Sequence, residues 1–180
     1  MWTAIAIAAV VLLYIVSVYN GLVARRTQSR EAWSTIDTQL KRRYDLIPNL
    51  VNAVKGATAH ESKTLQAVIA ARNAAMSAHG AESKAAAENQ LTGALKSIFA
   101  LSESYPTLRA NENFLELQRE LTDTETKIQA ARQFYNTVVM GLNTAIQQFP
   151  SNIVAGIFKI REEQFFQIDE AENAAPKVEF

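Results

Sequence analysis

FLELQRELTDTETKIQAARQFYNTVVMGLNTAIQQF, from Phe114 to Phe149, decides the fold. Phe114, Leu117, Leu121, Thr124, Ile128, Ala131, Tyr135, Val138, Leu142, Ala145 and Phe149 follow one another at intervals of three and four without a slip. Such spacing is a heptad seam, and a helix carrying it is about 55 Å long. Asp123 and Lys127 stand one turn apart, off the seam, as an i,i+4 pair. Pro150 closes the pattern, and Ser151 or Asn152 can cap a short helix through Ile168. A seam of this kind packs within its own chain, or it projects and pairs with a neighbouring copy.

The stretches before it read the same way. Leu91, Leu95, Ile98 and Leu101 put an inward stripe on a helix from Ala81 to Ser104, stopped by Tyr105-Pro106. Upstream, Trp33, Ile36, Leu40 and Ile47 form a stripe that resumes at Leu50, Val51, Val54, Leu65, Val68 and Ile69 and ends near His79-Gly80. Pro48 interrupts it. Either Pro48 kinks one long helix, or Asp45 caps a new helix in whose first turn the missing N–H is harmless. The kink is favoured. Asp37 and Lys41 are a second i,i+4 pair. No period-two pattern and no hairpin signal occurs, so the fold class is all-α: long antiparallel helices joined by short breaks, an up-and-down bundle.

Met1 to Ala24 carries no charged side chain, and most of it is Ala, Ile, Val and Leu. About 20 such residues span the roughly 30 Å hydrocarbon core, so the stretch reads as a transmembrane helix. Trp2 and Tyr19 lie roughly 26 Å apart along it, suited to the two membrane interfaces. A cleaved signal peptide needs a basic start and a small-x-small site. Neither is visible, so a retained anchor is expected. Arg25, Arg26 and Arg30 follow against Glu31 alone, which places the C-terminal side in the cytoplasm and the N-terminus outside. Arg25 and Arg26 also stand where anionic headgroups lie. Three parts result: an anchor over 1–24, a bundle over 25–168 and an acidic tail over 169–180.

Formal net charge is zero, which offers no global field for nucleic acid. The charge is uneven, however. Arg25 to Arg43 holds six basic and two acidic residues, and Lys159 to Phe180 holds three basic and six acidic. These ends can meet in cis or between subunits, but two solvated faces are the favoured reading. Lys41-Arg42-Arg43 is the densest basic cluster, suited to phosphate groups or to acidic groups of the bundle or of a neighbour. The terminal Pro176-Lys177-Val178-Glu179-Phe180 alternates apolar and polar residues up to its carboxylate, a form that can add to a sheet edge. With Asp37, these are the candidate interaction residues: Lys41, Arg42, Arg43, Asp37 and Phe180.

Catalytic patterns are missing. His60-Glu61 opens like a zinc-protease motif, but Thr64 stands where the second His belongs. Only one other His, His79, exists, and there is no Cys for a thiolate, a disulfide, a lipid anchor or a Cys-based metal site. The six Gly are isolated, so no phosphate loop forms. Asp37, Asp45 and Glu61 share one predicted helical stretch but read as solvated. No enzyme, no cofactor and no metal are expected.

Tyr19-Asn20-x-Leu22-Val23, Ala32-Trp33-Ser34-x-Ile36-Asp37-x-Gln39-Leu40-Lys41-Arg42-Arg43, Asp45-Leu46-Ile47-Pro48-Asn49-Leu50-Val51, His60-Glu61, Ala71-Arg72, Tyr105-Pro106, Phe149-Pro150-Ser151-Asn152 and the Pro-x-Val-x-Phe end together resemble the LemA family. The resemblance covers nearly the whole chain. It implies a bacterial inner-membrane protein with an outside N-terminus and a cytoplasmic four-helix-type bundle. Some members are encoded near membrane metalloproteases. It offers no catalytic residue to carry over, and this chain departs from the pattern in having no charge before the anchor. The expected function is a membrane-anchored, non-catalytic scaffold that self-associates at the cytoplasmic face. The alternative is an adaptor or regulator of another membrane protein, such as a membrane metalloprotease. The expected partners are the lipid bilayer, further copies of the chain and a membrane protein, with no nucleic acid.

Overall fold

The computed structural model describes residues 1–57 and 61–166. Six helices appear there, and no strand among the described residues. They are α1 (Trp2–Ala57), α2 (Ser62–Ser77), α3 (Ala81–Glu103), α4 (Pro106–Arg109), α5 (Glu112–Gln147) and α6 (Ser151–Ile157). The all-α, up-and-down reading is the observed class. His60, the acidic tail and Phe180 lie outside the described residues.

α1 runs unbroken through Pro48. The alternative of a new helix capped by Asp45 is therefore replaced by one continuous element. Its apolar start reaches a mean hydropathy of 2.2 with none of that window buried. By length and composition it fits the single crossing of a single-pass membrane protein. The inward stripe extends beyond the sequence reading. Leu22, Ser29, Ile36, Arg43 and Leu50 recur every seven residues and are all buried, and so do Leu40, Ile47 and Val54. α1 thus carries a heptad face of its own, with polar residues at two of its positions.

The chain divides into two compact units. One comprises residues 1–36 and 131–165. In it Leu22 of α1 packs with Val154 and Ala155 of α6 and with Ile160, flanked by Ile15, Val18, Tyr19, Ala145 and Ile146. Trp33 meets the edge of Tyr135 at 5.3 Å between ring centroids. The other comprises residues 37–130 and, among the described residues after α6, Phe166. Its core is Leu40, Ile47, Leu50 and Val54 of α1, Leu65 and Val68 of α2, Leu91, Leu95 and Ile98 of α3, and Phe114, Leu121 and Ile128 of α5. Gly80, at φ 82, turns the chain from α2 into α3 in a conformation that favours glycine.

Three sequence expectations are refined. The stripe read as continuous to His79 is carried by two helices, α1 and α2. Along α5 the buried face follows the seam to Tyr135 and meets it again at Leu142, but Val139 is buried in place of Val138, Asn143 joins it, and Phe149 is outside the helix and exposed. A helix of 3.6 residues per turn drifts off a strict seven-residue repeat in this way. The helix after Pro150 ends at Ile157, short of Ile168, and the cause is local. Lys159 takes φ 54, the Ile160 N–H bonds back to the Ala155 carbonyl at 2.9 Å, and Ile160 and Ala155 share one apolar cluster. This is a Schellman stop with Lys in the position usually held by glycine. Ser151 does not cap α6. Its hydroxyl donates to the carbonyl of Ala145 in α5 and to that of Gln148 just after it.

Candidate functional site

Arg43 and Tyr44 are adjacent on α1, and both face inward. Arg43 is only 2% exposed, and Glu88 of α3 is fully buried. Arg43 Nη1 donates to Glu88 Oε2 at 3.1 Å, and Nη2 donates to Thr92 Oγ1 at 2.7 Å. Glu125 of α5 brings Oε2 to 2.9 Å from Nη2, a charge contact without hydrogen-bond alignment. The Tyr44 hydroxyl donates to the other oxygen of Glu88. From α2, Arg72 Nε donates to the Tyr44 carbonyl at 2.8 Å. Lys84 Nζ lies 5.6 Å from the Tyr44 ring centroid. One polar network therefore joins all four long helices of this unit.

Its electrostatics are self-contained. Burial, then the hydrogen bond to Glu88, pushes the Tyr44 hydroxyl well above the ordinary tyrosine value, so Tyr44 stays a neutral donor. Arg43 compensates the Glu88 charge, and Glu125, partly exposed, completes the set. Beside the network is a cleft of about 270 Å³, lined by Arg43, Thr92, Leu95, Phe99, Leu121 and Glu125 among others. Its walls are mainly apolar; of the two cations that line it, Arg43 is paired with carboxylates and Lys96 is exposed. Among the described residues, no three His, Cys, Asp or Glu side chains are grouped so as to hold a metal ion. Glu61, the second residue of the abortive zinc motif, accepts a hydrogen bond from Tyr105 at 3.1 Å.

The predicted basic cluster is split. Successive helical residues point about 100° apart, so Lys41 and Arg42 face solvent while Arg43 enters the core. Arg43 is thus withdrawn from any phosphate-binding surface. Arg42 pairs loosely with Asp123 at 3.6 Å and Glu120 at 4.0 Å. Asp123 in turn holds Lys127 at 2.8 Å, the i,i+4 pair expected from the sequence, and that hydrogen bond keeps the Asp123 carboxyl below its usual range. Asp37 is exposed. In the other unit, Trp2 is exposed and Tyr19 stacks at 4.5 Å on Phe158. Arg25 reaches the Gly141 carbonyl at 3.4 Å, and Arg26 is exposed. A second buried polar point lies there: the Ser29 hydroxyl donates to Glu163. Asn143 holds the same residue's backbone from both sides, at 2.9 and 3.0 Å. Tyr135 donates to the Gln164 carbonyl at 3.0 Å.

Sequence reasoning missed Glu88, Thr92 and Glu125. A signal was present for Glu88. It stands between Ala85 and Leu91 on the inward stripe of α3, and a carboxylate there demands a buried partner.

The family model for LemA proteins matches residues 32–180. The chain belongs to the LemA family. Of the motif residues of this LemA chain, Leu40, Arg43, Ile47 and Leu50 lie on the heptad faces of α1 and are buried, while Lys41, Arg42, Pro48 and Asn49 are exposed. Among curated proteins, it is similar to magnetosome proteins MamQ 2 and MamQ 1 of Paramagnetospirillum magneticum, each 26% identical over 88 residues. The match covers 49% of this chain and 32% of each relative, so it spans about a third of their length.

Removing one member of a buried ion pair strands the other, at a cost of about 3 kcal/mol. Glu88→Ala should therefore lower the melting temperature of the bundle by roughly 6–12 °C in thermal unfolding followed by circular dichroism. Glu125→Gln, at the partly exposed edge, should cost under about 1 kcal/mol. Equal losses would contradict this ranking.

Tyr44 sets an alkaline limit. Its folded-state value is raised, so its contribution is complete below the unfolded value near pH 10 and is lost as the pH climbs from there towards the folded value. Between pH 9 and 11 the melting temperature of wild type should fall more steeply than that of Tyr44→Phe. Parallel declines would contradict the buried neutral hydroxyl.

Proposed function

We propose that this protein is a membrane-anchored, non-catalytic scaffold that self-associates at the cytoplasmic face of a bacterial inner membrane. The observation that carries it is α1. One unbroken helix begins as an exposed, uncharged apolar stretch and later supplies the heptad face and the cross-brace of a helical bundle. Anchor and scaffold are the same element. Arg25, Arg26 and Arg30 directly after the apolar stretch support an inside location for the body and an outside N-terminus. The charged groups of the bundle support a structural role, because Arg43, Glu88 and Tyr44 satisfy one another and present nothing to a substrate. Self-association has support in α5. Phe134 is exposed beside an open cleft that it shares with Gln28, Glu31, Ala32, Thr35 and Val138, and the cleft's lining is mainly apolar.

The chain has no native Cys, so a cysteine at Gln133, next to Phe134, reports on neighbours without interference. Thiol crosslinking of Gln133→Cys in native membranes at ordinary abundance should give homodimers and higher species. Monomers alone would count against the scaffold.

A further inference from the structure

The exposed large apolar side chains of the described body are not evenly scattered. Ile69, Met76, Phe134 and Met140 stand singly, whereas Phe149, Ile153, Ile157, Phe158 and Phe165 fall within seventeen residues around α6. Phe149 is 80% exposed, Ile157 64% and Ile153 54%. The helix is apolar on both sides. Val154 and Ala155 face inward, and Ile153 and Ile157 face out. A group of this size on a protein surface marks a contact with something apolar.

Its position says what. The inward side of α6 packs on Ile15, Val18, Tyr19 and Leu22, and Phe158 stacks on Tyr19. All four lie inside the uncharged stretch that ends at Ala24. Counting back from Arg25 at 1.5 Å per residue, Leu22 is about 5 Å, Tyr19 about 9 Å and Ile15 about 15 Å into it. Interfacial helices bury their apolar face about 5–10 Å below the headgroups. α6 is thus fastened to the anchor at the level where the bilayer begins. Exposed basic residues stand around it: Arg25 and Arg26 on α1, and Lys159 and Arg161 just after α6. The neighbouring carboxylates are engaged, Glu162 by Gln147 at 2.9 Å and Glu163 by Ser29.

We infer that α6, with Phe149, Ile153, Ile157 and Phe158, is a second membrane-contacting element that lies in the lipid interface beside the anchor. The partner is the interfacial zone of the bilayer. The inference rests on the anchored reading of α1 and adds a fixed depth and a second contact to it. A single helix lets a body swivel about the membrane normal and tilt. A second apolar contact one turn below the headgroups holds the body in one attitude to the surface.

Full-length protein with single cysteines at Ile7, Ile153, Ile157 or Asn113 would be labelled with an environment-sensitive fluorophore. Each would be reconstituted into phosphatidylcholine–phosphatidylglycerol vesicles containing lipids brominated at shallow or deep acyl positions. Ile7 reports the anchor and Asn113 the exposed body, and two α6 sites guard against one variant failing to fold. The expected result is several-fold stronger quenching at Ile153 and Ile157 than at Asn113, greater with shallow bromines, with Ile7 quenched more by deep ones. Quenching at Ile7 with Ile153 and Ile157 no more quenched than Asn113 would overturn the inference and leave the anchor standing. No quenching at Ile7 would overturn the anchor, and the inference with it. Labels at Ile153 and Ile157 that are shielded only at high protein density, and not quenched by lipid, would assign the face to a second copy and overturn the inference.

Discussion

The buried pair of Arg43 and Glu88 is the constraint on which the bundle depends. Two charges have left water, and at 3.1 Å each is the principal compensation of the other. In net stability such a pair does no better than two well-packed apolar residues of the same volume, and often worse. Its consequence is intolerance of the wrong arrangement. If α1 rotates by one residue or slides by one turn against α3, Arg43 and Glu88 part, and two unpaired charges remain in an apolar core. Tyr44 adds a second condition, since its hydroxyl must meet the same carboxylate. Thr92, Glu125 and Arg72 extend the requirement to α3, α5 and α2.

Register matters in this fold because the remaining contacts hardly specify it. The heptad faces of α1 and α5 are repetitive, and Leu, Ile and Val at seven-residue intervals pack almost as well after a shift of one heptad. A polar residue at a heptad position is a device for fixing register. α1 has two, Ser29 and Arg43, and each compact unit holds one of them with its carboxylate partner, Glu163 and Glu88 respectively. In the unit of residues 1–36 and 131–165, the partner comes from an irregular strap, residues 161–165, which Asn143 and Tyr135 stitch down by its backbone. The Schellman stop at Lys159 ends α6 early and leaves these residues free to run as a strap. A helix carried on to Ile168 would take Glu163 away from Asn143.

What the sequence made legible follows from what repeats in it. The helix predicted from Ala81 to Ser104 is α3 within one residue, because its stripe is regular and Gly80 and Pro106 bound it. The seam of α5 was readable for the same reason up to Tyr135. Beyond that point a seven-residue template drifts on a 3.6-residue helix: Val139 is buried in place of Val138, while Leu142 keeps its place. α4 and the early end of α6 carry no period and depend on single residues, Pro106 at a helix start and Lys159 at φ 54. The site was half legible. Lys41-Arg42-Arg43 stands out as charge, but only its phase on the helix tells that Arg43 is inside. Glu88 could be suspected from the stripe of α3. Its pairing with Arg43, forty-five positions away, is a fact of packing that no local pattern contains.

Assembly is the central claim of the proposed function, because Arg43 and Glu88 are used up inside the bundle, while Phe134 stays exposed on its surface. The most direct measurement is the mass of the intact protein in a mild detergent by mass photometry, followed by electron microscopy of the same particles. The account predicts a discrete species of several chains with a symmetry axis, as expected for closed homo-oligomers. A single monomeric species of detergent-bound protein at every concentration would contradict it.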